Sequence, residues 1–219
     1  MTLSPIFYLV SALALAILIG IGAVRLMSRR RGVISRSLNL ALLSVRMPPV
    51  RLEPMQSGVQ QIRERIALME QLYGNLHQIR DSFLHNFFYG RPVFALELTV
   101  PHSGEEMSFY LAVPRRLSSS VEKIVQGIFP DAEVQRAGEY NIFNPAGASA
   151  GAYLKLSRNR YYPLRTYQKL EGDPMREITN VFTKLAANGE GAALQIVARP
   201  ARHKWQRTLK AHAKLLFEG

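Results

Sequence analysis

Cysteine does not occur in this chain. Its absence excludes disulfide staples, thiolate nucleophiles and cysteine-ligated metal, and it suits a main domain kept in a reducing cytosol. Acidic side chains are scarce: 16 Asp and Glu stand against 28 Lys and Arg, a formal net charge of +12. That balance calls for an anionic partner, either nucleic-acid phosphate or the headgroups of a membrane surface, and charge alone does not choose between them. Three signatures of chemistry are also missing. There is no G-x-x-x-x-G-K-[ST], no H-E-x-x-H and no kinase motif, so the chain as given binds no nucleoside triphosphate through a P-loop. Its 219 residues suffice for one ordinary domain and an appendage.

Charge is also absent from one long run. The nineteen residues from Ile6 to Val24 are uncharged. As a helix they reach about 28 Å, close to the roughly 30 Å of a bilayer's hydrocarbon core. Eleven of them are Leu, Ile, Val or Phe. On an insertion scale these contribute about −3 to −7 kcal/mol. A cleaved signal peptide carries its positive charge before the apolar run and a small-residue cleavage site after it. Here no charge precedes the run, and Arg25, Arg29, Arg30 and Arg31 follow it. The run therefore reads as an uncleaved anchor. The positive-inside rule puts the arginine flank and all that follows in the cytoplasm, with the first few residues outside. The arginines suit contact with anionic lipid, each contributing about 1 kcal/mol near the surface. Ala12, Ala16 and Gly20 recur at four-residue spacing on one face. Such a face lets two membrane helices approach closely and is a candidate for self-association, beside the plainer reading that small residues are common in these helices.

Residues 1–31 form this anchor and its flank, and residues 32–90 the next unit. Leu38, Leu40 and Leu42, then Leu43, Val45 and Met47, alternate with a single slip of phase, which predicts a strand with a bulge ended by Pro48 and Pro49. From Val59 through Ile62, Ile66, Met69, Leu72, Leu76 and Ile79 to Phe83, steps of three or four predict one long amphipathic helix, opened by the capping box of Ser57 and Gln60. His77 and His85 stand eight apart, too far for an i, i+4 metal pair, and together with Asp81 they read as a solvated face. Gly90 and Pro92 close the helix.

Residues 91–200 carry an α+β core. Val93–Val100 and Met107–Val113 flank "PHSGEE" as a hairpin with a longer loop. Ser118 is expected to cap a helix whose Val121, Ile124, Val125, Ile128 and Phe129 form one apolar stripe, stopped by Pro130. Strands follow at 132–136 and 152–156. Asp173 and Pro174 start a helix with Ile178, Val181, Phe182 and Leu185 inward, Asn188 and Gly189 end it, and Ala192–Val197 is the last strand. This order predicts an antiparallel or mixed sheet with two helices packed on it. Residues 201–219 read as a basic linker or helix.

Two motifs raise chemistry. Gly147, Ser149 and Gly151 spell G-x-S-x-G, with Asp173 and His203 following in the chain order of a serine hydrolase. A nucleophile elbow needs a strand running into the first glycine and a helix leaving the second. Asn144 and Pro145 interrupt the approach and a strand is expected after it, so a hydrolase using Ser149 is only a remote alternative. Arg158, Arg160, Tyr161, Tyr162 and Arg165 interleave cations with rings, a mix that suits stacking on single-stranded bases or binding phosphate. They are the candidate nucleic-acid contact and the basis of a second reading, a stand-alone membrane-tethered nucleic-acid-binding protein. Neither motif yields a catalytic, metal or cofactor site.

The stretches "SLNLALLSVRMP", "FYLAVPR", "IFPDAEV", "YNIF", "YPLRTYQKLEGDPMREITNVFTKL" and "GEGAALQIVARP" span about Ser37 to Pro200. They resemble the membrane-anchored amino-terminal region of bacterial type IV secretion and conjugative-transfer ATPases, the coupling-protein and HerA-like motor proteins. In that family a basic linker leads onward to a RecA-like motor with a P-loop; this sequence has the linker without the motor. The resemblance implies a non-enzymatic module, whether piece or separate subunit, that holds a translocation ATPase at the bacterial cytoplasmic membrane. Beside the membrane lipid expected from the apolar run, it implies as partners the motor, further copies of the chain up to a hexamer and, as the motor's cargo, DNA or protein. It transfers no catalytic residue and no cofactor.

Overall fold

The apolar run continues as helix well beyond its last hydrophobic residue. In the computed structural model, which describes residues 5–48, 58–79, 81–102, 106–158, 162, 175–187, 190–201 and 203–218, α1 covers Pro5–Leu38. Pro5 at the first helical position has a fixed φ suited to that turn and no backbone N–H to leave unpaired. At 1.5 Å per residue the helix is about 51 Å long. Its segment Phe7–Ser28 is long and apolar enough to cross a membrane, and none of it is buried within the protein. The helix does not stop at the arginines. It ends at Leu38, and Asn39 alone separates it from β1, Leu40–Arg46.

The bulge expected in β1 is absent. Its register is unbroken from Leu40 opposite Pro114 to Ser44 opposite Tyr110, and on its other edge from Leu43 opposite Arg136 to Arg46 opposite Glu133. The apparent slip of phase has a simple cause: this interior strand carries leucine on both faces. Leu43 faces the helices and is fully buried, while Leu42 lies half-buried on the other side.

The single long helix expected after it is two. α2 spans Gly58–Gln78 and α3 spans Phe83–Tyr89. The apolar spacing runs through the break, but local side-chain bonding overrides it. Asp81 Oδ1 accepts the Ser82 amide at 3.0 Å, and the Asn86 amide donates to the Ser82 carbonyl at 2.9 Å to open a new helix. Gly90, at φ 88°, closes α3 in a conformation that a side chain disfavours. Ser57 and the Gln60 side chain, expected as the capping box, lie outside the described residues.

β2 (Phe94–Val100) and β3 (Ser108–Pro114) form the expected hairpin. A 3-10 turn at Arg115–Leu117 leads into α4, Ser118–Ile128. Ser118 is therefore not the cap but the first helical residue. It is buried, donating its hydroxyl to the Arg115 carbonyl and accepting the Arg136 guanidinium, both at 2.9 Å. β4 is Glu133–Arg136. No strand forms at 152–156, where Tyr153 and Leu154 are 84% and 93% exposed. α5 spans Met175–Ala187 and β5 spans Ala192–Ala198. Ile178, Phe182 and Leu185 turn inward as expected. Val181, one step round the helix from that stripe, is 53% exposed instead. The terminators named above, Asp173, Pro174, Asn188 and Gly189, lie outside the described residues. α6, His203–Glu218, makes the basic tail a helix.

The fold is α+β. Its five strands lie in the order β4-β1-β3-β2-β5, every neighbouring pair antiparallel. One face bears Leu43, Phe94, Leu111, Val113 and Val134. It is covered by Leu72 and Leu76 of α2 and by Val121, Val125 and Phe129 at α4. Phe182 and Ile178 of α5 cover Leu98 and Val100 on the same face, so α2 joins the two expected helices there.

Candidate functional site

Arg25, the first charge after the apolar run, does not simply point into solvent. Its Nε donates to the Phe87 carbonyl at 3.1 Å, and its guanidinium lies 4.3 Å from the centre of the Phe87 ring, a cation-π distance. Arg25 and Ser28 are half-buried, and Ile21, at 42% exposure, is the least exposed of the large hydrophobic residues described in the span. These three occupy one stripe of α1, the stripe that meets α3. Around Phe87 the rings of α3 pack together, Phe83 stacked at 6.2 Å and Phe88 edge-on at 5.2 Å. Phe83 and Leu84 nevertheless stay 79% and 65% exposed.

Arg29, Arg30 and Arg31 continue along α1, with side chains outside the described residues. Ala12, Ala16 and Gly20 are exposed, and a Cβ added at Gly20 would meet nothing within 4 Å among the described residues. The Arg158 guanidinium lies 5.9 Å from the Tyr162 ring centre, both residues exposed. Arg160, Tyr161 and Arg165 lie outside the described residues. Ser149 sits in an exposed irregular segment beyond a turn in which the Gly147 amide donates to the Asn144 carbonyl at 3.0 Å. No strand enters that turn and no helix leaves it, so the geometry of an elbow is not formed. Asp173 and the His203 side chain lie outside the described residues.

Sequence reasoning missed the partners of two carboxylates, Asp81 and Glu97. Asp81 accepts Arg116 Nε at 2.9 Å and a second guanidinium nitrogen, with His85 Nε2 at 3.6 Å. Burial acts to raise its pKa, but the Arg116 hydrogen bond and charge, with His85 behind them, outweigh it and hold the carboxyl below its ordinary value. Asp81 and His85 are thus engaged with the body of the fold rather than spread on a solvated face. Among the described residues no group of three or more His, Asp or Glu could hold a metal ion.

Glu97 is the other. It is a lone acid in "FALELTV", 7% exposed on the face of the sheet away from the helices. The Tyr140 hydroxyl donates to it at 2.8 Å and the Gln195 amide at 2.6 Å, while Tyr140 stacks on Tyr110 at 5.1 Å. Gly191 lets the Tyr140 segment come this close, since a Cβ there would overlap the Ile142 carbonyl. Burial first, then the hydrogen bond to Glu97 and its charge, push the Tyr140 phenol well above its ordinary value of 10. A raised phenol favours folding below that ordinary value, and the benefit is lost as pH rises past it, because the unfolded chain ionises first. Tyr140→Phe takes one of two donors from the buried carboxylate, leaving only Gln195 among the described residues, and should cost about 1–3 kcal/mol at neutral pH. Urea denaturation should show that cost, and the gap to wild type should narrow above pH 10.

An apolar cleft of about 1120 Å³ opens on the helix-covered face, between Met69 and Phe129 on one side and Met175 and Ile196 on the other, with Leu96 and Phe109 in its floor. Its mainly apolar lining has the chemistry to hold an apolar group.

A family described as a domain of unknown function, DUF8128, matches residues 51–215, about three quarters of the chain. The chain belongs to the DUF8128 family. No curated protein and no solved structure matches it. The DUF8128 match takes in α2 to most of α6 and omits α1 and β1. Yet β1 is an interior strand between β4 and β3, so the DUF8128 sheet of this chain is completed by residues upstream of the match.

Proposed function

We propose that this DUF8128 chain is a non-enzymatic, membrane-anchored module of a type IV secretion or conjugative DNA-transfer system, which positions or assembles a translocation ATPase at the bacterial cytoplasmic membrane. The observation that carries the membrane role is the joint between α1 and β1. A 22-residue apolar span lying wholly outside the protein core runs, through one continuous helix and Asn39, into an interior strand of the sheet. A flexible tether needs no such joint; a mount that holds a body at fixed height does. The arginine flank supports a single pass with the amino end outside and the sheet in the cytoplasm. The secretion-system assignment rests on the sequence resemblance, which also brings the homo-oligomer, up to a hexamer. The exposed Ala12, Ala16 and Gly20 face gives such copies a place to meet.

Full-length protein solubilised in mild detergent should self-associate and retain a conjugative RecA-like motor domain in a pull-down. A strict monomer that retains no motor overturns the proposal. The second reading, a tethered nucleic-acid binder acting alone, draws on the exposed Arg158 and Tyr162 pair. It requires binding to single-stranded DNA at low salt, weakening as salt rises.

A further inference from the structure

We propose that α3 is a second membrane contact, an aromatic plate that lies in the headgroup layer beside α1 and sets the tilt of the body on the bilayer. The inference rests on the reading of α1 as a membrane anchor.

Depth comes from the α1–α3 contact. α3 lies along the Ile21, Arg25 and Ser28 stripe, where the apolar span gives way to charge. With Arg25 at the edge of the hydrocarbon, Ile21 lies about 6 Å deeper along the helix. A segment packed on that stripe is at headgroup level whichever way the body turns. Arg25 also binds the α3 backbone at Phe87 and the face of its ring, so the residue that marks the boundary is the one that holds α3 against it.

Composition agrees with that depth. α3 reads FLHNFFY, four aromatics and a leucine with no acidic residue. Phe83 and Leu84, at the amino end of α3, are 79% and 65% exposed. In water two such neighbours are a liability, whereas aromatic side chains concentrate at membrane–water interfaces, where an apolar body and a polar surround are both satisfied. Amphipathic helices that lie in this layer bury their apolar face about 5–10 Å into the boundary between headgroups and acyl chains, the depth expected for Phe83 and Leu84.

The plate is also braced to the body it would orient. Just before α3, Asp81 pairs with Arg116 in the turn after β3, and the Asn86 side-chain amide donates to the Asp81 carbonyl at 3.0 Å. Just after it, Arg91 donates to the carbonyls of Pro200 and Ala201 beyond β5. One spanning helix leaves the tilt of its cargo open, and a second contact braced to the sheet at two points, beyond β3 and beyond β5, closes it.

The test places single tryptophans in full-length protein carrying Trp205→Phe, reconstituted in phosphatidylethanolamine and phosphatidylglycerol vesicles with quencher-labelled lipids. Phe83→Trp should emit to the blue of its value in denaturant and be quenched about twofold more by headgroup-level labels than by labels at the chain ends. Leu84→Trp repeats the measurement should Phe83→Trp fail to fold. Leu15→Trp reports the anchor, with the opposite depth preference. If Leu15→Trp is quenched from the chain ends while neither α3 tryptophan is quenched by lipid, α3 faces water or protein and the proposal is overturned with the anchor intact. If Leu15→Trp itself escapes quenching, the anchor reading fails and takes this inference with it.

Discussion

Leu15→Arg should remove the chain from the carbonate-resistant membrane fraction. Leu15 lies near the middle of the Phe7–Ser28 span, 59% exposed and far along α1 from the α3 contact. On an insertion scale a central leucine contributes about −0.5 kcal/mol and a central arginine opposes by about 2.5–3.5, a swing of 3–4 kcal/mol. That is comparable with the entire favourable term of about −3 to −7 kcal/mol for the apolar side chains. The insertion equilibrium should therefore fall by more than about 100-fold. Arg25 escapes this penalty because it sits at the end of the run with a partner, whereas residue 15 is ten positions from it and too deep to reach water. Leu15→Ile is the control and should leave fractionation unchanged. Because Leu15 is exposed and lies outside the hydrophobic core, the released Leu15→Arg protein should keep its circular dichroism and protease resistance. Persistence of the arginine variant in carbonate-washed membranes would mean that the apolar helix is not what holds the chain there.

What the sequence disclosed followed from pattern, and what it concealed depended on partners distant in the chain. The span was legible because nineteen consecutive uncharged residues need no partner to be interpreted. The hairpin, α4 and β5 were legible because one face of each is apolar at the right period. The α2–α3 break was not, since the spacing of Ile79 and Phe83 continues the helical stripe while an aspartate bound to Arg116, 35 residues on, decides the geometry. Leucine on both faces of β1 imitated a bulge, because alternation marks a strand only when one face meets water. Glu97 could be seen to break an apolar strand, but its partners lie 43 and 98 residues away, and only the sheet brings them together. Arg25 was found and read as a topology signal; its hold on Phe87, across 62 residues, was invisible until the helices were placed.

Leu43→Ala should cost about 3–5 kcal/mol, the range for emptying a well-packed leucine site that relaxes only partly. Leu43 is fully buried, packs with the core beneath α2 and α4, and lies opposite Leu111 on one side and Arg136 on the other. Against a total stability of about 5–15 kcal/mol that loss is severe, and a urea transition should report it directly. Leu42→Ala, on the half-buried opposite face, should cost clearly less. The same reasoning applies to the whole strand. A chain beginning at Arg51 retains all of the DUF8128 match yet loses β1, which leaves β4 without its neighbour and a long edge of β3 unpaired. It should aggregate or unfold without a cooperative transition, while a chain beginning at Asn39 should unfold cooperatively. If the shorter chain unfolded as sharply as the longer one, β1 would be an attachment to a finished sheet. The load path from α1 into the core would then not exist, and the proposed mount would be a tether after all.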